Sequence, residues 1–201
     1  MRLSSVAFPL LLLSMCATSC RVAAQQLPLP NCEWCGAADA PRDPAPVVRI
    51  APSGEPGTPL EISGVVRTAE GRPLAGVLIY AYHTDARGLY PRRGDETGNG
   101  RRHGYLRAWV RTDAQGRYGF RTIRPASYPS RPEPAHVHLT LTPPGGVEVW
   151  VDAIEFDDDP LLTPAARRRR ENRGGPGIVR PVTNAHGVQH VVRDIILERG
   201  S

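Results

Sequence analysis

The sequence contains no lysine, so all 25 of its Lys-or-Arg positions are arginine. With 20 acidic residues, the formal net charge is +5. We attribute this exclusive use of arginine to coding bias rather than to selection for a phosphate-binding surface. The densest basic run, residues 167–170, has no interleaved aromatic side chains, so we interpret it as a solvated loop and expect no nucleic-acid partner.

Long helical patterns and internal repeats are also missing. The apolar run at residues 6–15 is too short to span a bilayer as a stable anchor. Glycine (20) and proline (21) are abundant and scattered without a period, which is typical of a turn-rich all-β domain. The 201 residues are enough to form one sizeable core.

The amino terminus has the pattern of an export signal, with Arg2 before the apolar run and small residues after it. Two processing sites compete. Cleavage after Ala24 would release a soluble protein, whereas cleavage before Cys20 would leave that cysteine as a lipid anchor. We therefore expect residues 1–24 to be a signal peptide and the protein to be exported, periplasmic or extracellular, either soluble or membrane-anchored.

Cysteine is scarce: only Cys32 and Cys35 lie beyond the leader. No thioredoxin-like βαβ pattern surrounds them, and no second cysteine pair completes a zinc site. We expect a local disulfide in an N-terminal arm, residues 25–59, whose proline-rich second part (43–59) leads into a domain at 60–201.

Short alternating segments separated by turn signals predict seven strands and an antiparallel β-sandwich. The predicted strands lie at residues 60–66, 78–82, 106–112, 117–122, 136–142, 148–156 and 188–197. The last of them is expected to pair back into a sheet.

His136 and His138 are the clearest chemical signal. Their spacing places both imidazoles on one face of a strand, while the alternate residues point to the core. Such a pair alone is more often structural than metal-binding, but Tyr90 and Tyr128 accompany it. A phenol ionises near pH ~10, so its use as an anionic ligand at neutral pH requires a hard, highly charged cation such as ferric iron.

Several motifs around these residues occur in a characteristic order. They are Gly-Arg-Pro-Leu-Ala-Gly at 71–76, the segment 111–129, Pro-Ala-His-Val-His at 134–138, and Phe-Asp-Asp-Asp-Pro-Leu-Leu at 156–162. From about Leu60 to about Leu162 the chain resembles the intradiol ring-cleavage dioxygenases. The leader and the Cys-Glu-Trp-Cys segment are similar to an exported, uncharacterised branch of that family.

The resemblance implies a β-sandwich of the intradiol dioxygenase or transthyretin-like type. It also implies an Fe(3+) ion held by Tyr90, Tyr128, His136 and His138, without an organic cofactor. The implied reaction cleaves the ring of a small aromatic diol of the catechol type with O2, giving a muconate-type diacid. Tyr90 would remain a ligand throughout, whereas Tyr128 would also act as a base.

Three positions depart from the family pattern. Family members acting on catechol or protocatechuate usually carry an arginine three residues before the first histidine, where this chain has Glu133. Arg131, two residues away, is our candidate to replace that arginine as a catalytic residue. Tyr82 replaces a tryptophan, and Asp-Ala-Ile-Glu-Phe at 152–156 replaces a glutamine-containing segment.

Two other functions stay open on the sequence. The strand and turn motifs also resemble transthyretin-like binding or structural modules, although those do not need all four ligand residues. A family member that binds iron without turnover is the second alternative, kept open by Glu133. Oligomeric state is not predicted.

The remaining polar motifs have ordinary interpretations. His83 and His103 are candidates for the mouth of the site, without a sequence signal that decides it. His186 and His190 are expected at the surface or in the sheet. The acidic run 157–159 lacks the spaced oxygen ligands of a calcium loop, so we predict a turn there.

Overall fold

A computed structural model describes residues 35–197 of the chain. This part consists of eleven strands, two short α-helices and one 3₁₀-helix. The 3₁₀-helix is Gly36–Asp39, and the α-helices are α1 (Gly100–His103) and α2 (Pro164–Arg168). The strands are β1 (Val47–Arg49), β2 (Pro59–Thr68), β3 (Leu78–His83), β4 (Arg107–Arg111), β5 (Arg117–Ile123), β6 (His136–Thr142), β7 (Val149–Phe156), β8 (Ile178–Val179), β9 (Val182–Thr183), β10 (Gln189–Val192) and β11 (Ile195–Leu197).

The strands form two sheets that enclose one hydrophobic core. The first sheet has the order β1-β5-β2-β10-β9, with β11 also paired to β2, and the second has the order β4-β3-β6-β7-β8. The long strands pair antiparallel, as predicted, in the β2/β5, β3/β4, β3/β6 and β6/β7 ladders. Parallel pairs are added by the short strands β1, β8, β10 and β11. The predicted β-sandwich is confirmed.

Every residue of β3 is buried, because both faces of this central strand are covered. Its inner face packs in the core, and the 3₁₀-helix lies on its outer face. A Cβ atom on Gly36 would come within 2.0 Å of the Tyr80 ring, so only glycine allows this approach. The backbone N–H groups of Gly36 and Ala37 donate to the Glu148 carboxylate (both 3.1 Å), and Trp109 Nε1 donates to the Gly36 carbonyl (2.7 Å).

The segment before residue 60 is therefore more closely joined to the sandwich than the proline-rich composition suggested. Residues 47–49, inside the predicted connector, form β1 and pair in parallel with β5. Cys35 is disulfide-bonded. Its expected partner Cys32, together with Cys20, Ala24 and the rest of the leader, lies outside the described residues.

The six earlier strands occur where they were predicted, with ends shifted by one or two residues. The seventh is interrupted and becomes β10 and β11, because Arg193 and Asp194 leave the ladder. The Arg193 side chain is fully buried and donates to the Gly174 carbonyl at 3.0 Å. The Asp194 carboxylate accepts from Val65 N at 2.9 Å. Within residues 35–197, no helix is long and apolar enough to cross a membrane.

Candidate metal centre

Strand β6 places the two histidines of the His-x-His motif on one face, as the alternation predicted. Val137 and Leu139 point into the core and are fully buried. The Nε2 atoms of His136 and His138 lie 2.9 Å apart, with the two rings nearly perpendicular. The register with β7 shifts between Val137 and Leu139, so β6 is irregular at the point where the imidazoles emerge.

The two tyrosines reach the same point from loops. Tyr90 OH lies 2.7 Å from Tyr128 OH, and Tyr128 OH lies 3.3 Å from the Nε2 atoms of both His136 and His138. The structure thus brings together all four residues that the sequence analysis assigned as metal ligands. Whether they bind iron stays a prediction.

A tight turn holds Tyr90 in this position. Asp85 accepts hydrogen bonds from the backbone N–H groups of Arg87 (2.8 Å) and Leu89 (3.0 Å) and from the Arg87 guanidinium. Burial acts to raise the pKa of the Asp85 carboxyl, but these hydrogen bonds outweigh it and the pKa is lowered. Gly88 has φ +78°, and the site of its missing Cβ lies 1.9 Å from the Ser127 carbonyl oxygen. The turn therefore packs directly against the loop that carries Tyr128.

The donor spacing fits one metal ion. Donors bound at about 2.0–2.1 Å, with angles of about 90–110° between them, lie about 2.8–3.4 Å apart. Three of the four contacts above, at 2.9, 3.3 and 3.3 Å, lie in this range, and the Tyr90–Tyr128 contact is slightly shorter at 2.7 Å. His136 Nδ1 lies 2.7 Å from the Pro134 carbonyl, which can only accept. The ring proton of neutral His136 is therefore on Nδ1, and the Nε2 lone pair faces the cluster.

The His138 imidazole also has the protonation state that a metal needs. Burial, followed by the neighbouring His136, lowers the pKa of His138 well below its ordinary value. A neutral imidazole can donate its lone pair without first losing a proton. Within residues 35–197 no group of three or more His, Cys, Asp or Glu is arranged to hold a metal. The mixed phenol–imidazole cluster is the candidate centre because its four side chains converge.

A cleft of about 190 Å³ opens beside the cluster. Seven side chains line it: Tyr82, Tyr90, Arg102, His103, Tyr128, Arg131 and His138. We call it the phenol cleft. The Arg131 guanidinium lies 4.5 Å from the centre of the Tyr128 ring, so the predicted catalytic arginine does reach the site. Arg131 also pairs with Glu133 at 2.9 Å, which raises the pKa of the guanidinium, with a smaller contribution from Tyr128.

Comparison with known proteins decides the family. A family model described as Dioxygenase matches residues 35–170, well over half of the chain. The chain belongs to the intradiol dioxygenase family. It is 30% identical over 132 residues to catechol 1,2-dioxygenase 2 of Acinetobacter lwoffii, covering 57% of this chain and 46% of the relative. It is 32% identical over 133 residues to the protocatechuate 3,4-dioxygenase beta chain of Burkholderia cepacia, covering 59% and 57%.

Solved structures agree on the fold. The dioxygenase domain of a dioxygenase carbohydrate-binding protein fusion from Streptomyces sp. SirexAA-E matches with a TM-score of 0.59 and 26% identity, over 80% of this chain and 92% of that one. Catechol 1,2-dioxygenase from Acinetobacter sp. ADP1 matches with a TM-score of 0.62 and 23% identity, over 81% and 59%. The chain spans about half the length of the curated relatives described above.

A second cleft, of about 220 Å³, is lined by both histidines of the pair. Its wall includes Glu133, Glu155 and Arg170. Arg170 donates two hydrogen bonds to the buried Glu155 carboxylate (2.5 and 2.6 Å), and Glu155 stands opposite His136 in the β6/β7 ladder. Part of the arginine run thus lies at the site instead of forming a solvated loop. No signal in the sequence pairs Arg170 with Glu155, because the contact depends on how α2 returns to β7.

Of the other histidines, one lines the phenol cleft and the others have structural or surface positions. His103 lines the phenol cleft, whereas His83 is fully buried between Thr84 O and Thr122 Oγ1, each at 2.7 Å. Burial lowers the pKa of His83 to about 4. His190 and Asn184 form a hydrogen bond at the surface (3.0 Å), as expected for that region.

The acidic run forms a turn, as predicted. Asp157 pairs with Arg180, Asp158 with Arg124, and Asp159 accepts from Ala135 N.

Proposed function

We propose that this protein is an Fe(3+)-dependent intradiol dioxygenase that cleaves the ring of a catechol-type diol with O2 to a muconate-type diacid. The observation that supports it most strongly is the convergence of Tyr90, Tyr128, His136 and His138: Tyr128 OH lies 2.7 Å from Tyr90 OH and 3.3 Å from both Nε2 atoms, which are 2.9 Å apart. Family membership agrees with this chemistry. We further propose that the protein is exported, as the leader predicts.

Each ligand has a distinct role in the proposal. As metal ligands, His136 and His138 would be neutral donors fixed by β6, so the charge that they contribute to the metal centre does not change when the substrate binds. Bound ferric iron supplies a Lewis acid that lowers the pKa of the diol's hydroxyl groups. Tyr128, which would be a phenolate while it holds the metal, would accept one of the two protons released, and solvent would accept the other. Its oxygen lies within 3.3 Å of both histidines and 2.7 Å of Tyr90 OH. Tyr90, held by the turn at 85–89, would remain a ligand throughout.

Arg131 is the proposed catalytic partner of Tyr128. A guanidinium over the face of a phenol ring is attracted to it, and more strongly when the ring is a phenolate. The Arg131 guanidinium lies over the Tyr128 ring and lines the cleft that a diol would enter. Glu133, at the position where relatives usually have arginine, holds Arg131 at the exposed end.

Turnover is the experiment that tests this function. Iron-loaded protein is mixed with catechol or protocatechuate, and O2 uptake and the diacid product are measured together. We expect one O2 consumed per diol cleaved, and Arg131→Gln to lower kcat/KM about tenfold while iron content is unchanged. Arg124→Gln is the matched control, since Arg124 lies 4.5 Å over the Phe156 ring, with Asp158 as its ion-pair partner. Iron-loaded protein that binds both diols without consuming O2 would establish the non-turnover alternative.

A further inference from the structure

His103 is a second imidazole at the phenol cleft, beside His138, and lies outside the four-ligand set. It ends α1, is 4% exposed, and lines the cleft beside Tyr90. Its ring stacks on Tyr82 with centroids 3.6 Å apart and an interplanar angle of 6°. Tyr82 in turn stacks on His138 at 4.4 Å and 12°. The three rings form one parallel column, so the orientation of His103 is fixed relative to the ligand His138.

The hydrogen bond on the far side of the His103 ring determines its tautomer. Tyr80 OH lies 2.8 Å from His103 Nδ1. Burial raises the pKa of Tyr80, so this phenol keeps its proton. A buried hydroxyl needs an acceptor, and among the described residues the hydrogen-bond contact of the Tyr80 hydroxyl is with His103 Nδ1. We therefore assign the Tyr80 hydroxyl as the donor and Nδ1 as the acceptor.

It follows that the ring proton of neutral His103 is on Nε2. Burial, assisted by Arg107, lowers the pKa of His103 to about 4, so the ring is neutral at pH 7. Among residues 35–197, the hydrogen bond to Tyr80 is the only one that the His103 ring makes. A buried N–H group at a cleft needs an acceptor, because leaving it without one costs free energy.

We propose that His103 Nε2–H is a fixed hydrogen-bond donor to an anionic aryl-oxide oxygen in the phenol cleft. The charged side chains that line this cleft are two arginines, Arg102 and Arg131, with no carboxylate among its lining residues. Arg131 is paired with Glu133, which lies outside that lining, so the cleft favours an anionic acceptor over a cationic one. Such an oxygen has two sources. One is the catecholate of a bound substrate, which rests on the proposed function, and the other is the phenolate of Tyr90 or Tyr128.

Four variants isolate this N–H group. His103→Phe keeps an aromatic ring in the stack and removes the donor, whereas His103→Gln restores an N–H donor. Tyr80→Phe acts at a distance, because it removes the hydroxyl that directs the His103 proton to Nε2. Tyr118→Phe is the matched control: Tyr118 is also buried and its hydroxyl donates to a backbone carbonyl (Arg193 O, 2.7 Å), away from the cleft.

Each variant is loaded with ferric iron, its iron content and visible tyrosinate band are recorded, and it is titrated with 4-nitrocatechol under nitrogen. We expect His103→Phe to bind the probe about tenfold more weakly, the loss for one charge-assisted hydrogen bond. Tyr80→Phe should lose part of the affinity, His103→Gln should recover part of it, and Tyr118→Phe should match the wild type. The double variant Tyr80→Phe/His103→Phe should be no weaker than His103→Phe, since both changes act through one N–H group.

The two sources of the oxygen give different spectra. A changed probe affinity with an unchanged resting band identifies the substrate oxygen, and a shifted resting band identifies a tyrosine phenolate. Iron-loaded His103→Phe with wild-type affinity and a wild-type band would overturn the proposal. Wild-type protein that takes up no iron would contradict the proposed function instead. In that case equal probe affinities of the iron-free wild type and His103→Phe would overturn the His103 proposal independently.

Discussion

Replacing Gly88 by alanine should disrupt the candidate metal centre from a distance of two residues along the chain. Gly88 precedes Tyr90 in the turn, and its missing Cβ would lie 1.9 Å from the Ser127 carbonyl oxygen, next to Tyr128. Non-bonded carbon and oxygen atoms do not approach below about 3 Å. The two loops must therefore separate by about 1 Å, which is a large change for a pair of hydroxyls that lie 2.7 Å apart.

The loss of unfolding free energy in Gly88→Ala has two causes, the left-handed backbone conformation and the steric overlap. The same substitution at Gly71 measures the first cause alone. Gly88 has φ +78° and Gly71 has φ +82°, but nothing lies within 4 Å of a Cβ on Gly71. Gly71→Ala should therefore show only the left-handed backbone cost of about 1–2 kcal/mol. Gly88→Ala should lose that amount plus about 1–3 kcal/mol for the forced overlap.

Urea unfolding of the iron-free variants measures the stability difference, and iron content with the visible band measures the centre. We expect Gly71→Ala to be mildly destabilised with a normal iron content, and Gly88→Ala to be less stable and to bind iron poorly. The reasoning is refuted if Gly88→Ala has the unfolding free energy of Gly71→Ala together with full iron content and an unchanged band.

Two further predictions concern buried charged and titratable groups. The pKa of folded His83, about 4, is below the unfolded value of about 6.5. Between these two pKa values His83 is protonated in the unfolded state and neutral in the folded state. The unfolding free energy therefore falls by about 1.4 kcal/mol per pH unit as the pH drops through that window. His83→Gln should reduce the slope of unfolding free energy against pH by this amount, and an unchanged slope would contradict the assignment. Glu155→Gln removes the carboxylate that accepts two hydrogen bonds from Arg170, and should lower the unfolding free energy by about 2 kcal/mol in urea. A loss below about 0.5 kcal/mol would show that solvent screens this pair.

The long strands and the candidate ligand residues were predictable because each rests on a local pattern, whereas the short strands β1, β8 and β9 were not predicted. Period-two alternation places His136 and His138 on one face of β6 and their neighbours in the core, with no knowledge of the rest of the fold. Tyr90 and Tyr128 could be assigned through the family motifs around them. The convergence of their hydroxyls on the histidines is a tertiary fact, and it depends on the contact between Gly88 and Ser127.

Contacts between distant segments were not predictable from local patterns. Arg170 belongs to a run of four arginines, and nothing within that run distinguishes the one that pairs with Glu155. The proposed role of His103 depends on two other residues, since Tyr80 orients its proton and Tyr82 fixes its ring. The division of the last predicted strand into β10 and β11 depends on Arg193, whose buried guanidinium donates to the carbonyl of Gly174 in the preceding loop.

Iron content and the visible spectrum of aerobically purified mature protein, beginning near residue 25 and without Cys20, test the central claim most directly. The account predicts about one iron per chain and a burgundy tyrosinate-to-Fe(3+) band, both lost in Tyr90→Phe and His138→Ala. His190→Ala, which removes a surface histidine, should keep them. A colourless protein that stays iron-free after ferric reconstitution would contradict the four-ligand centre and the dioxygenase function built on it.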